Sequence, residues 1–390
     1  MRSSTRKKLL YFMVDNPMRL KAGNMTRCVS MLNYLQQQAD FLEVDFLSIH
    51  PWSEADIARF HTLYPDIELH LFHLNRSKKN RSYLDYFFNE KLPRLLRNLL
   101  KYEPTHLNNV DYYVEQQIRK EFADKEFDVL IVSYANWARL REFIPATYAI
   151  NDSHDFLTRQ YMPHGKQAFG AASRLFKSEL EALQQFDEVW TYSMEEHYIF
   201  DQFLENKVAL LPVSFPAQIQ PVDREIQQDI LYVASENEHN VRSMEWFIKY
   251  VLPELKGLKI SVVGKICEAI PDHPSLDKLG VVEDLEALYQ HSKITMCPML
   301  TGTGIKIKVL ESLAHGIPVV TNRRGVDGLV NKVNNGCLVS NNPREFALYI
   351  KELLTNREFF EEQSDLAATY FLENHSLEKE HEFLNNSLLD

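Results

Sequence analysis

The sequence contains little glycine and cysteine and no long apolar run. Its four cysteines, among 390 residues, are widely spaced without a CxxC pair or a Cys/His cluster, which suggests neither a disulfide framework nor a zinc site. The longest uncharged apolar run near the start, Leu9 to Val14, has six residues. A signal peptide needs about 7–15 apolar residues and a membrane helix about 20. The sequence therefore predicts a cytoplasmic protein.

Basic residues are also fewer than acidic ones. The chain has 43 Lys and Arg and 54 Asp and Glu, which gives a formal net charge of −11. Such an acidic chain is a poor partner for nucleic acid. Residues 76–101 are the exception, with eight Lys or Arg against Asp85 and Glu90. A basic amphipathic helix there, including Arg94 and Arg97, can rest on an anionic membrane surface or contact an anionic lipid-linked acceptor. A solvated helix face is the alternative, and the sequence leaves both open.

Short apolar runs alternate with longer amphipathic stretches along the chain, which is typical of βαβ units and parallel sheets. The polar stretch 216–228 contains two prolines, interrupts this alternation and is interpreted as a linker. We therefore predict an α/β protein with one domain over 1–215 and a second over 229–375. A C-terminal helix over 376–390 is expected to return to the first domain.

The predicted elements follow the apolar runs. Strands are expected at 9–14, 42–48, 67–71, 128–133, 147–150, 188–191, 208–211, 230–234, 259–264, 293–298 and 318–321. Helices are expected at 241–252, 284–291 and 304–315, with two more over 83–122 that break at Pro104 and a Glu-rich helical tail from 342.

The second half of the chain is the place to look for a nucleotide, because nine of the twelve glycines lie in residues 257–390. Glycine lets the backbone approach a phosphate closely. An apolar strand there leads into the turn TGTG at 301–304, which leads into a predicted helix. The free N–H groups and positive dipole end of that helix, with Gly302 and Gly304 in the turn, predict an anion site.

Lys308 and Glu311 are three positions apart in that helix and so share one of its faces. The lysine can meet a phosphate group, and the glutamate can accept hydrogen bonds from the vicinal hydroxyls of a ribose. A plain strand-turn-helix connection with a surface ion pair is the alternative, and spacing alone does not choose between them.

The string GTGIKIKVLESLAHGIPVVTNRRGVDGL, which begins at Gly302, resembles the donor-binding motif of the group 1, retaining nucleotide-sugar glycosyltransferases. Further segments are similar to parts of that family in the same order, and the matches cover about two thirds of the chain. They are NDSHDFLTR at 151–159, ELEALQQFDEVWTYS at 179–193, ILYVASENEHNVRSMEWFIKYVLPEL at 230–255 and GVVEDLEALY at 280–289. The resemblance implies the GT-B fold, in which two Rossmann-like doubly wound domains face a central cleft.

The resemblance assigns roles to residues of the donor motif. Glu311 falls on the second glutamate of the family's Glu-x7-Glu motif, which binds the nucleotide ribose. The first glutamate falls on Thr303, so a charged contact is missing. The Thr303 hydroxyl, with the N–H groups of Gly304 and Ile305, is left to hold sugar hydroxyls. Val282 lies in the segment whose backbone contacts the base.

A second departure concerns the basic pair that many relatives place after the first strand of the second domain. Those places hold Ser235 and approximately Asn240 here. Because a diphosphate leaving group needs cationic or dipolar neutralisation, we assign that role by hypothesis to Lys308, Lys265 or Lys306.

In the first half, His154 follows a predicted strand, where α/β proteins place ligands. It matches the family's cleft histidine, which contacts the transferred sugar and helps to orient the acceptor, and Asp155 is a candidate for positioning. Gly23 and Asn24, with Arg27 in the helix that follows, match the loop that approaches the donor phosphate and the acceptor. Packing of His154 in the core or on the surface, and an ordinary helix-start role for Gly23, are the alternatives.

The resemblance as a whole implies a cytoplasmic, retaining glycosyltransferase with no cofactor and no metal, at most peripheral to the membrane. The donor is a nucleotide-sugar on the second domain, and the acceptor is a glycan or a lipid-linked or other hydroxyl on the first. The family most often implies synthesis of bacterial envelope polysaccharide or lipopolysaccharide. Two alternatives stay open: a sugar-nucleotide epimerase on the same fold, and a non-catalytic relative that binds nucleotide or glycan.

Overall fold

A computed structural model provides the fold. It describes residues 6–19, 23–49, 51–72, 82–92, 95–96, 107–110, 112–122, 124–161, 168–221, 223–302 and 304–389. The chain forms two compact units. The first comprises Met1–Thr191, Glu196–Leu210 and Leu388–Asp390, and the second comprises Tyr192–Glu195 and Leu211–Ser387.

The first unit is built on seven strands: β1 (Lys7–Phe12), β2 (Leu42–Ser48), β3 (Ile67–Leu71), β4 (Phe127–Ser133), β5 (Ala146–Asp152), β6 (Glu188–Thr191) and β7 (Lys207–Leu210). They form one parallel sheet in the order β3-β2-β1-β4-β5-β6-β7. The helices are α1 (Gly23–Gln37), α2 (Glu54–Leu63), α3 (Tyr83–Tyr86), α4 (Tyr112–Glu121), α5 (Leu157–Tyr161), α6 (Ala168–Leu183) and α7 (Met194–Phe203). Shorter 3-10 turns lie at Pro17–Arg19 and Ala135–Glu142, and a π-helical turn at Phe87–Lys91.

The second unit has six strands: β8 (Gln228–Val233), β9 (Ile260–Val263), β10 (Leu276–Gly280), β11 (Ser292–Cys297), β12 (Val319–Thr321) and β13 (Cys337–Val339). They are also parallel, in the order β10-β9-β8-β11-β12-β13. The helices are α8 (Glu238–Trp246), α9 (Ile266–Ala269), α10 (Leu285–Gln290), α11 (Ile307–Ala314), α12 (Pro343–Thr355), α13 (Arg357–Asn374) and α14 (Leu377–Leu388). A π-helical turn, Phe247–Val251, extends α8, and 3-10 turns lie at Leu252–Glu254 and Arg323–Val326.

The strands are apolar along most of their length because both faces of a parallel sheet are covered by helices. In β1 the four residues from Leu9 to Phe12 are fully buried, and in β9 the four residues from Ile260 to Val263 are buried. This double burial is the reason that continuous apolar runs, rather than alternating ones, mark the strands in the sequence.

All eleven expected strands are present, and the described residues contain two further strands, β10 and β13, that were not predicted. The edge strand β10 alternates partly buried and exposed residues, and β13 has only three residues. The helix expected at 304–315 begins later, at Ile307, because Gly304 has a φ of +71° and Lys306 is extended. The expected break at Pro104 lies outside the described residues.

The segments between and after the two sheets pack on the second unit. Within the expected linker, the N–H of Gln218 donates to the carbonyl of Ala314 at 2.8 Å. Helix α14 belongs to the second unit up to Ser387, and only its end joins the first, where Lys7 Nζ donates to the carbonyl of Leu389 at 3.0 Å. None of the helices in the described part of the chain is both long and apolar enough to span a bilayer.

Candidate functional site

The strand order of the second sheet reverses at β8, which has β9 on one side and β11 on the other. The loops after β8 and β11 leave the carboxyl edge of the sheet side by side, and open α/β sheets bind ligands at such a point. Ser235 lies in the loop after β8, and Gly302 and Gly304 lie in the loop after β11. The predicted donor residues thus gather at the position where the topology favours a ligand.

Lys308 in the first turn of α11 reaches the first turn of α8, the helix that follows β8. Its Nζ donates to Asn240 Oδ1 at 2.9 Å, and Asn240 Nδ2 donates to the backbone oxygen of Ser235 at 3.0 Å. The same Nζ lies 5.0 Å from the centroid of the Tyr232 ring, a cation–π distance. Desolvation lowers the pKa of Lys308. Burial therefore disfavours the charged form of this amine, and an anionic ligand beside it would stabilise that form.

Glu311, one turn further along α11, has a different partner. Its Oε2 accepts a hydrogen bond from the hydroxyl of Tyr289 at 3.1 Å. The buried Tyr289 ring stacks on the imidazole of His315, with ring centroids 5.0 Å apart. Burial raises the pKa of Glu311. Since Lys308 and Glu311 bond to separate partners, they do not form the surface ion pair of the alternative interpretation.

The glycine-rich turn brings backbone close to the same place. Gly302 and Gly304 have φ values of +106° and +71°, in the left-handed region that favours glycine. Lys306, directly before α11, is buried, and its Nζ donates to the carbonyl of Gly304 at 2.6 Å. Desolvation lowers the pKa of Lys306. Thr303 lies outside the described residues, so its predicted contact with sugar hydroxyls stays a prediction.

Three other predicted donor residues differ in accessibility. The side chain of Ile305 packs against the core around α11 and α13, and that of Val282 packs against the cluster that includes Val263. Both side chains are half-buried. Lys265 is exposed at the start of the short helix α9, after Gly264.

The first sheet reverses its strand order at β1, which lies between β2 and β4. His154 follows β5 and so lies at the carboxyl edge of the same sheet. Its Nε2 is 3.2 Å from Asp152 Oδ2 and 3.3 Å from Ser133 Oγ. The imidazole stacks on Tyr134 with ring centroids 4.6 Å apart. Both residues have positive φ, +57° for His154 and +68° for Tyr134. Such backbone strain costs about 1–3 kcal/mol per residue and collects at functional sites.

A cavity of about 360 Å³ opens beside Tyr134 in the first unit. Its walls include two carboxylates, two amides and two aromatic rings: Asp15, Asp155, Asn136, Gln160, Tyr134 and Trp137. Neighbouring groups partly desolvate the Asp155 carboxyl and raise its pKa. Hydrogen-bonding groups combined with flat aromatic surfaces suit a ligand with several hydroxyl groups.

Among the residues predicted at the start of α1, Asn24 contacts residues that line this cavity. Asn24 Nδ2 donates to Asp15 Oδ2 at 2.7 Å, and Asn24 also hydrogen-bonds to the side chain of Tyr134. Gly23 is the first residue of α1, as in its helix-start alternative, and Arg27 is half-buried one turn further on. Arg94 and Arg97, with most of the basic segment, lie outside the described residues.

Several contributors to these sites were not predicted from the sequence. The sequence marks Asn240 only as a place where a basic residue is missing, and in the structure its Oδ1 accepts the bond from Lys308. Tyr289 and Asp152 stand inside the quoted strings GVVEDLEALY and NDSHDFLTR. A search of those strings for a hydroxyl donor and for an acid two residues before the histidine could have found them. Tyr134 has no comparable local signal.

Comparisons with known proteins bear on both units. Residues 227–356 match the family model described as Glycosyl transferases group 1. A sequence search of curated proteins finds no match.

Solved structures are similar over nearly their whole length. They include sucrose-phosphate synthase from Thermosynechococcus elongatus, at 13% identity over 98% of this chain and 98% of that chain, with a TM-score of 0.62. Anabaena HepE in complex with UDP and glucose has 11% identity over 99% and 100%, with a TM-score of 0.62. A TarM variant from S. aureus, in complex with Fondaparinux, alpha-GlcNAc-glycerol and UDP, has 12% identity over 97% and 99%, with a TM-score of 0.64. At these identities the similarity shows the fold, and it confirms the predicted pair of parallel-sheet α/β domains.

Proposed function

We propose that this chain is a group 1 glycosyltransferase with the GT-B fold, as the family match over residues 227–356 and the similar solved structures support. It takes a sugar from a nucleoside diphosphate donor bound to the second unit. The acceptor is a hydroxyl group bound to the first unit. The observation that carries the proposal is the hydrogen-bonded chain from Lys308 through Asn240 to Ser235. It holds the buried amine of Lys308 at the carboxyl edge of the second sheet, where open α/β sheets bind ligands.

The diphosphate that leaves the sugar gains negative charge in the transition state, and a cation aimed at it lowers the barrier. Of the three candidate lysines, Lys308 suits this role best. Its hydrogen-bond acceptor is a neutral amide, and it lies one turn from the predicted ribose contact. Lys306 already donates to Gly304, and Lys265 is exposed on another loop. We therefore assign diphosphate neutralisation to Lys308, with the N–H groups at the start of α11 beside it.

Glu311 is assigned to the ribose of the donor. A carboxylate accepts two hydrogen bonds from vicinal hydroxyls, and the bond from Tyr289 holds its position. Because HepE and the TarM variant were both solved with UDP, UDP-sugars are the first donors to test.

The acceptor is assigned to the cavity beside Tyr134. His154 is held by Asp152 and stacked on Tyr134, so its ring has one orientation. In that orientation it contacts the transferred sugar and orients the acceptor, while Asp155 on the cavity wall positions the acceptor hydroxyl.

The family resemblance supports three further parts of the proposal. The reaction retains the anomeric configuration and needs no catalytic metal. The product belongs to bacterial envelope polysaccharide or lipopolysaccharide synthesis. Product analysis by NMR tests retention, since an inverted product would contradict it. Activity that disappears with EDTA and returns with a divalent ion would contradict metal independence. Salt-sensitive binding to anionic vesicles tests the membrane contact proposed for residues 76–101.

The first experiment is a thermal-shift screen with UDP, GDP, ADP, CMP and their common sugar conjugates. A donor present at a hundredfold excess over its Kd stabilises the folded protein by about 2.7 kcal/mol. The shift should be lost in Lys308→Met and kept in Lys256→Met, which changes an exposed lysine of the same unit. Absence of any shift in folded protein would favour the non-catalytic alternative.

Transfer itself is tested with His154→Ala. This variant should still bind the nucleotide, because His154 is in the first unit, but should lose most of its sugar transfer. Full transfer by a folded His154→Ala protein would refute the assignment. Conversion of the donor sugar in the absence of an acceptor would instead identify the epimerase alternative.

A further inference from the structure

A second polar cluster lies in the first unit, on strands that take no part in the sites above. Asp45 on β2 and Glu68 on β3 are register partners, and His70 follows Glu68 by two residues. Because side chains two apart on a strand point to the same face, these three side chains share one face of the sheet. Helix α4 ends there with Glu121, whose Oε1 lies 3.1 Å from His70 Nδ1.

The imidazole of His70 is almost completely buried, with 6% of its side chain exposed, and its two nitrogens differ. Nδ1 is bonded to Glu121, which leaves Nε2 directed at the other two acids. Nε2 is 3.6 Å from Asp45 Oδ2 and 3.7 Å from Glu68 Oε1, and it has no hydrogen-bond partner. Both distances exceed those of ordinary hydrogen bonds.

The charges around this nitrogen do not balance. Asp45, Glu68 and Glu121 supply three carboxylates, and Lys125, whose Nζ is 3.0 Å from Asp45 Oδ2, supplies one ammonium. These groups together leave two negative charges around the imidazole. The buried Nε2 faces two carboxylate oxygens, an arrangement that favours a positive charge between them.

We propose that Asp45, Glu68 and His70 bind a divalent transition-metal ion of the zinc type through Oδ2, Oε1 and Nε2. These three atoms lie within 4.8 Å of one another. Ligands at about 2.0–2.2 Å from zinc in a tetrahedron are about 3.3–3.6 Å apart, close to the two distances observed. A divalent ion would also cancel the two excess negative charges.

The surrounding contacts fit the same role. Histidines that bind a metal through one nitrogen usually donate the other N–H to a carboxylate, as His70 can to Glu121, and ligating carboxylates are themselves hydrogen-bonded, as Asp45 is by Lys125. A set of one imidazole and two carboxylates suits zinc better than calcium or magnesium, which prefer oxygen alone. The ion would tie β2 to β3 and has no part in sugar transfer.

The test is metal binding by the full chain, stripped with EDTA and desalted, and titrated with ZnCl₂ by isothermal calorimetry. The wild-type protein should bind one equivalent that His70→Gln does not bind, whereas His61→Gln, a change to an exposed histidine of the same unit, should keep it. Glu68→Gln removes a ligand that is 67% exposed, so it should fold and weaken zinc binding about 10–100-fold. Cobalt in place of zinc should produce visible absorption bands that are absent in His70→Gln.

Equal zinc stoichiometry and affinity in the wild-type protein, His70→Gln and Glu68→Gln would overturn the proposal. So would NMR evidence, in the presence of zinc, that His70 carries protons on both ring nitrogens at pH 7. In that case a proton, and not a metal, supplies the positive charge between Asp45 and Glu68.

Discussion

Replacement of Lys308 by methionine separates the charge of this side chain from its packing. Methionine keeps an unbranched chain and removes the ammonium group. A preorganised group aimed at developing negative charge contributes about 2.7–4 kcal/mol to the transition state, so kcat/KM should fall about 10²–10³-fold. The fold should survive the substitution for two reasons. Desolvation disfavours the charged form of Lys308, so burial of methionine avoids that cost. The hydrogen bond to Asn240 that is lost, 2.9 Å long, contributes only about 1–3 kcal/mol to the stability of the folded protein.

The assay compares two ligands as well as two proteins. If Lys308 meets the diphosphate, the variant should lose affinity for UDP in calorimetry and keep its affinity for uridine, which has no phosphate. Sugar transfer is measured in parallel with the donor that the thermal-shift screen identifies. Lys256→Met is the matched control, because it removes one positive charge from an exposed position of the same unit.

Two results would refute this reasoning. Equal losses of affinity for UDP and uridine would mean that the substitution distorts the whole site. A kcat/KM within about threefold of the wild-type value, a difference of under 1 kcal/mol, would mean that Lys308 does not neutralise the leaving group. Lys306→Met and Lys265→Ala would then be the next variants to measure.

Three further predictions concern affinity and stability. Glu311→Gln should bind UDP about tenfold more weakly, because an amide is a weaker acceptor for ribose hydroxyls than a carboxylate; the loss should shrink with 2′-deoxy-UDP in calorimetry. Burial lowers the pKa of His375 to about 4, against about 6.5 in the unfolded chain, so the unfolded state takes up the proton first as pH falls. The contribution of His375 to the free energy of unfolding is therefore fully present above pH 6.5 and is lost as the pH falls to 4, with about 2 kcal/mol lost at pH 5. In urea unfolding, the free energy of unfolding of His375→Gln should decrease by correspondingly less over the same pH range. Gly264→Ala should destabilise the protein by at least about 2 kcal/mol, since φ is +103° and a Cβ would lie 2.2 Å from the carbonyl oxygen of Ala234.

Each of these predictions has its own control. A loss for Glu311→Gln that is the same for UDP and 2′-deoxy-UDP would contradict the ribose contact. An unchanged pH dependence in His375→Gln would show that other groups account for the acid loss of stability. Gly280→Ala is the match for Gly264→Ala, because φ is +69° there but no atom lies within 4 Å of the added Cβ; equal destabilisation of both variants would rule out the close contact as the cause.

Features that depend on neighbours along the chain could be predicted from the sequence. The buried strands appear as apolar runs because both faces of each sheet are covered. Lys308 and Glu311 share one face of a helix because they are three residues apart. Gly302 and Gly304 supply the left-handed turn before that helix. Its position after a strand, together with the resemblance of the flanking residues to the family, selected His154 as a candidate.

Tertiary structure alone decided which distant side chains meet. Asn240 and Lys308 are 68 residues apart, and Glu311 and Tyr289 are 22 apart, so no local period or propensity connects them. The His70 cluster depends on the register of β2 against β3 and on the position where α4 ends. Side-chain packing across strands sets these registers and positions, and the chemistry of a single segment does not contain that information.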